Sequence, residues 1–148
     1  MKAFSHLDKS GSARMVNVGA KPLQRRRATA EGALVCAPAT IRALKRNALP
    51  KGDVLTVAQV AGIQGAKRTA ELIPLCHPLA LCHVAVSFHV KHDRLKIECV
   101  AETAAQTGVE MEALTGVTVA ALTLYDMCKA VDKTMHVEGL RVVKKEKE

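Results

Sequence analysis

In HVAVSFHVKHDRLKIECVA, residues 83–101, Val84, Val86, Phe88 and Val90 alternate with mostly polar neighbours in strict period two. That is the pattern of a strand with one buried face. Asp93-Arg94 supplies a tight-turn signal, and residues 95–101 return as a second strand, so the stretch predicts a hairpin. Upstream, residues 26–35 read as a first strand with a local irregularity at Glu31-Gly32. Pro38 then introduces a short helix over 40–47. Asp53 is placed to cap a second helix reaching about residue 71, with Val54, Val57, Val60, Ala61 and Ile63 along it. Downstream, a long helix begins near Thr107 and Glu110, whose spacing suits a capping box. A last strand, 135–143, is broken by Gly139. The order β-α-α-β-β-α-β, with the two early helices as one crossover, is that of an α+β, ferredoxin-like (split βαβ) fold. It implies an antiparallel sheet with helices packed on one face.

The long helix is unusual in carrying no charge from Ala113 to Tyr125. A helix apolar nearly all round must be covered, by its own domain and by other subunits. Asp126 and Lys129 follow it at i, i+3 and share one face. A carboxylate at the end of such a run is a candidate for proton transfer, against the plainer reading of a charge pair where a core helix meets water. Glu110 and Glu112 open the same helix. They diverge if the helix has already begun and converge if the backbone is still extended, and the sequence leaves both open.

At 148 residues the chain is long enough for one domain. We divide it into a flexible N-terminal arm (1–20), a single catalytic domain (21–143) and a charged tail, KKEKE (144–148), expected to fray. No stretch reaches the roughly 18 apolar residues of a membrane span, and residues 1–16 lack a signal-peptide core. Five cysteines in no small-scaffold spacing suggest reduced, mostly buried thiols. We therefore expect a cytoplasmic protein with no membrane partner. Twenty-two basic residues against 14 acidic give +8, which calls for an anionic ligand. Single-stranded nucleic acid is a poor candidate, because base stacking needs exposed aromatics and only two Phe and one Tyr are present. A nucleotide-sized phosphorylated molecule fits better.

Two segments invite chemistry. In LIPLCHPLALCH (72–83), Cys76, His77, Cys82 and His83 cluster, but the cysteines lie too far apart for usual zinc spacing. We expect no metal there, and read His77 as a polar-pocket donor. Lys51 sits between Pro50 and Gly52 in a short turn, where it is either a solvated loop lysine or a phosphate or proton-transfer partner.

The chain also resembles a known family, on MVNV (15–18), Lys21 with Arg26, KGDV (51–54), AGIQGAKRT (61–69), LIPLCHPL (72–79) and TGVEMEALTGVTVAALTLYDMCKAV (107–131). These match, in order, the MoaC-type cyclic pyranopterin monophosphate synthases of molybdenum cofactor biosynthesis. The resemblance implies a ferredoxin-like subunit in a homohexamer, a trimer of dimers, with sites between subunits. It implies a lyase acting on 3′,8-cyclised dihydro-GTP, with diphosphate released, no required cofactor, and a divalent ion possible with the triphosphate. Asp126, Lys129 and Lys51 match the catalytic positions. Leu75, Cys76, His77, Met111 and Glu112 match substrate-binding positions, and Glu110, Lys67, Lys21 and Arg26 match pocket or phosphate positions. By charge, Lys21, Arg26 and Lys67 would hold the triphosphate. Lys51, Lys129 and Asp126 would move protons, a lysine of lowered pKa suiting that work, while Glu112 and His77 orient the base. Asn17, Gln24 and Gln106 depart from the family pattern, and loss of a carboxylate at 17 is expected to loosen the arm that carries Lys21.

Overall fold

The computed structural model describes residues 4–148; the first three residues of the expected arm lie outside them. Eight elements follow in chain order: β1 (Gln24–Val35), α1 (Pro38–Lys45), α2 (Val54–Lys67), α3 (Thr69–Leu72), β2 (Leu81–Val90), β3 (Arg94–Ala105), α4 (Glu110–Cys128) and β4 (His136–Lys147). The four strands form one antiparallel sheet in the order β2-β3-β1-β4, the α+β arrangement expected of a ferredoxin-like chain. β1 and β3 are central, and burial alternates strictly along β3, whereas β1 is buried on both faces at 28–30 and 32–34. Ala28, Ala30 and Leu34 of β1 meet Leu95, Ile97, Cys99 and Ala101 of β3 in the core. Arg27, Glu31, Glu98 and Glu102 occupy the alternate positions, as the two-residue pleat period requires.

The α2 and α4 helices pack on each other and on the apolar sheet face. Their approach is close because α4 presents Gly116 and α2 presents Gly62 and Gly65. A Cβ on Gly65 would stand 2.8 Å from the Cβ of Val119. Asp53 caps α2 as expected, its carboxylate accepting from the Thr56 N–H at 3.1 Å. That helix stops at Lys67, and a separate turn, α3, follows.

Three expectations are corrected. No capping box forms at Thr107: α4 begins at Glu110 after Val109, with no side-chain cap. The strand β3 runs on to Ala105, four residues beyond the expected end. The KKEKE end does not fray but continues β4, where Lys144, Lys145, Glu146 and Lys147 pair with Thr29, Ala28, Arg27 and Arg26. Alternating charge hides a strand that a search for apolar period two passes over. The irregularity at Glu31-Gly32 is real, a register shift against β4 between Glu31 and Ala33. Gly139, at φ +67, turns the backbone of β4 nearby. One chain covers only part of α4. Leu122 is 59% exposed and Tyr125 36%, and Val57 and Val60 of the neighbouring α2 are exposed as well. All five cysteines are free, and Cys36, Cys99 and Cys128 are buried.

Candidate active site

At the C-terminal end of α4, the Asp126 carboxylate is gripped from two sides. Lys129 Nζ, one helical turn on, donates to Oδ1 at 2.6 Å. Lys51 Nζ donates to Oδ2 at 2.9 Å and to the Asp126 carbonyl at 3.2 Å. The turn that delivers Lys51 depends on Gly52, whose φ of +84 is a conformation glycine adopts without strain. The bond from Lys129, then that from Lys51, hold Asp126 down at about 2. The same bond to Asp126 raises Lys129, opposite to the lowered lysine expected from the sequence: an adjacent carboxylate outweighs nearby cations. All three side chains are about half exposed, so this trio is open to a ligand.

A second constellation lies at the other end of α4. A cavity of about 720 Å³ is lined by Lys21, Leu75, Cys76, His77, Glu110 and Met111, together with residues of the arm. His77 Nε2 meets the Val16 carbonyl at 2.5 Å, which draws the arm over the cavity. Behind Cys76, Glu112 is 3% exposed, and the Cys76 thiol reaches its Oε1 at 3.9 Å. Its Oε2 finds no hydrogen-bond partner among the described residues. Burial pushes Glu112 up, and the charge of Glu110 adds to this. Burial, then the Glu112 charge, likewise push Cys76 up. The open question about the two glutamates is settled by the helix starting at Glu110: they diverge. Glu110 pairs with Lys145 of β4, which overcomes partial burial and lowers it. Lys145 escaped the sequence reading because it stands in the stretch read as a frayed tail.

Two of the predicted binding cations stand aside from this cavity. Arg26 lines a neighbouring space of about 210 Å³ with Arg25 and Arg27, its Nε buried and unpartnered among the described residues. Lys67 lines another, about 400 Å³, which shares Leu79 with the main cavity. The departures at 17, 24 and 106 do not leave the region unheld. Asn17 Oδ1 accepts from the Gly19 N–H at 2.9 Å, and Gln106 donates to the Gly19 carbonyl at 3.2 Å. Gln24 accepts from Arg26 at 3.2 Å. Cys82 and His83 do not join Cys76 and His77: among the described residues, no group of three or more His, Cys, Asp or Glu is placed to share an ion. None of the described helices is long and apolar enough to cross a membrane.

The two constellations do not meet within one chain. Glu112 and Asp126 are fourteen residues apart on one continuous helix, which separates them by roughly 21 Å at the helical rise.

Comparison with known proteins finds relatives over nearly the whole chain. A cyclic pyranopterin monophosphate synthase of Chloroflexus aggregans is 57% identical over 96% of this chain and 87% of its own length. That of Natranaerobius thermophilus is 52% identical over 96% and 91%. A molybdenum cofactor biosynthesis bifunctional protein of Chlorobaculum tepidum is 52% identical over 94% of this chain, which matches 45% of that longer protein. Residues 15–148 match the MoaC family along their whole length, and the chain belongs to that family.

Proposed function

We propose that this enzyme of molybdenum cofactor biosynthesis forms cyclic pyranopterin monophosphate at a site that two copies of the chain build together. The observation that carries the shared site is the gap of roughly 21 Å between the lysine-clamped Asp126 and Glu112, which lies behind the cavity of Cys76 and His77. A nucleotide held at one end of α4 cannot reach the other end of the same helix. A second copy can bring its own Lys51, Asp126 and Lys129 to the first copy's cavity. The exposed apolar side chains Val57 and Val60 of α2 and Leu122 and Tyr125 of α4 support such an association. Three pairs of this kind would make the homohexamer, a trimer of dimers. Free thiols are in keeping with a cytoplasmic setting.

The substrate in this reading is 3′,8-cyclised dihydro-GTP. Lys21, which lines the cavity, is the first cation for the triphosphate and the departing diphosphate, and Arg26 and Lys67 act on them from the separate spaces that they line. A divalent ion accompanying the triphosphate would be carried on the substrate's own oxygens. The unpartnered Glu112 oxygen, with His77 and the Leu75–Cys76 backbone, suits the hydrogen-bonding edge of the base. Lys51, Asp126 and Lys129 exchange protons while the five-membered purine ring opens and recloses as a pterin. Loss of a proton from Asp126 near pH 2 leaves it charged at neutrality. It therefore holds the two ammonium groups, which are the proton donors of the trio.

The experiment supplies the purified protein with the cyclised dihydro-GTP and follows diphosphate and pterin together. We expect both to form in step. Lys51→Ala and Lys129→Ala should each lower kcat by about a hundredfold or more, within the range for removing a general acid or base. Near-wild-type turnover by both variants would sink the assignment of the trio.

A further inference from the structure

Asp132 is a buried carboxylate, 5% exposed, outside both constellations. Each oxygen accepts two hydrogen bonds. Oδ2 takes the Ala37 N–H and the Thr40 hydroxyl, both at 2.8 Å. Oδ1 takes the Thr134 N–H at 2.8 Å and its hydroxyl at 2.7 Å. A carboxylate with four donors has one orientation. Its own N–H closes onto the Cys128 carbonyl at 3.1 Å, which ties it to the last turn of α4.

The donors place it structurally. Ala37 precedes α1 and provides no side-chain cap of its own, and Thr40 stands in the first turn of that helix. The carboxylate of Asp132 takes the capping role from 95 residues away, where negative charge also suits the helix dipole. Five residues separate Lys45, at the far end of α1, from Lys51, which stands in the turn closed by the Gly52 N–H on the Leu49 carbonyl. The α1 segment is thus pinned to the end of α4 twice, by Asp132 at its start and by Lys51 on Asp126 beyond its end.

We propose that Asp132 is a positioning residue for the reaction: by fixing α1 against the end of α4, it sets where the Lys51 ammonium meets Asp126. This rests on the reading of Lys51, Asp126 and Lys129 as the proton-transfer groups. Asp126 is faced by Lys51 from the turn before α2 and by Lys129 from its own helix, with Tyr125 beside Lys129. Asp132 is faced by the thiols of Cys36 and Cys128, which burial and its charge push up. Burial pushes Asp132 itself up, but the bonds from Ala37, Thr134 and Thr40 outweigh this and hold it at about 2. It is therefore ionised throughout the working range.

Asp132→Asn keeps the shape but turns an amide N–H₂ toward two donors, so one end of the clamp opens. We expect kcat per folded molecule to fall by about ten- to a hundredfold, the scale of a small misplacement of a catalytic group. KM should change less than twofold, because the Asp132 carboxylate bonds only to Ala37, Thr40 and Thr134, none of which is assigned to substrate binding. Freed from close pairing with Lys51, Asp126 should protonate at higher pH, moving the acid limb of kcat upward. Thr134→Val keeps the carboxylate and removes one donor, and should move the limb the same way by less. It also serves if Asp132→Asn fails to fold. An unmoved acid limb and unchanged kcat per folded molecule in a folded variant would overturn the proposal. Lys51→Ala in the same assay separates the two readings. Full activity there defeats the trio itself, whereas lost activity there with an unmoved limb in the Asp132 variant defeats only the positioning role.

Discussion

Glu112 shows what a single buried carboxyl does to the whole chain's response to pH. Its carboxyl is pushed above the ordinary 4.5, chiefly by burial. The folded protein therefore holds this proton more tightly than the unfolded chain does. The resulting stability is complete below the ordinary value and is lost as pH rises through the raised one. Glu112→Gln removes that titration. Urea unfolding should find wild type losing more stability than the variant between pH 4 and pH 8, with the variant the more stable of the two at the upper end. Equal losses would show that the carboxyl ionises as it does in solvent. The carboxylates at the other end of α4 behave oppositely. Asp126 is half exposed, so its low pKa reports readiness to hold ammonium groups and adds little to stability.

Among the elements, the α2–α4 contact decides how the site is held, because α4 carries a constellation at each end. Small residues allow the two helices to touch along their backbones: a Cβ on Gly62 would stand 2.9 Å from the Gly116 carbonyl. At Gly65 the obstacle is the branched carbon of Val119, which has no flexible end to move aside. Gly65→Ala should cost about 1–3 kcal/mol through overpacking, despite alanine's better helix propensity. Thermal melting checks this, and an unchanged or raised Tm would mean that the helices separate freely. The edge strand β4 makes a related point. Its last residues carry Lys145 to Glu110 at the mouth of the cavity, so a stretch of plain charged sequence becomes part of the site.

At the scale of the whole molecule, a site shared between copies makes a prediction that a single-chain site does not. Lys51→Ala damages one half of the shared site and His77→Ala the other. If each site takes one half from each of two copies, a mixed pair has one site with both changes and one with neither. Unfolding and refolding the two inactive variants together should restore roughly a quarter of the wild-type rate under statistical mixing in a twofold pair. No recovery from folded, mixed oligomers would place both halves in one chain and contradict the distance along α4.

The hairpin, the apolar long helix, the Asp53 cap and the Pro50-Lys51-Gly52 turn were all legible in the chain. Each rests on neighbours a few residues apart, where period and backbone preference act directly. Family motifs supplied the candidate residues and their sorting into catalytic and binding sets, but not the contacts among them. The pairing of Lys51 with Asp126 spans 75 residues and that of Asp132 with Ala37 spans 95. The strand through KKEKE forms only because β1 offers it an edge. Such contacts leave no local pattern, since the donor and acceptor types occur throughout any polar sequence. Their selection follows from which segments the packed core brings side by side.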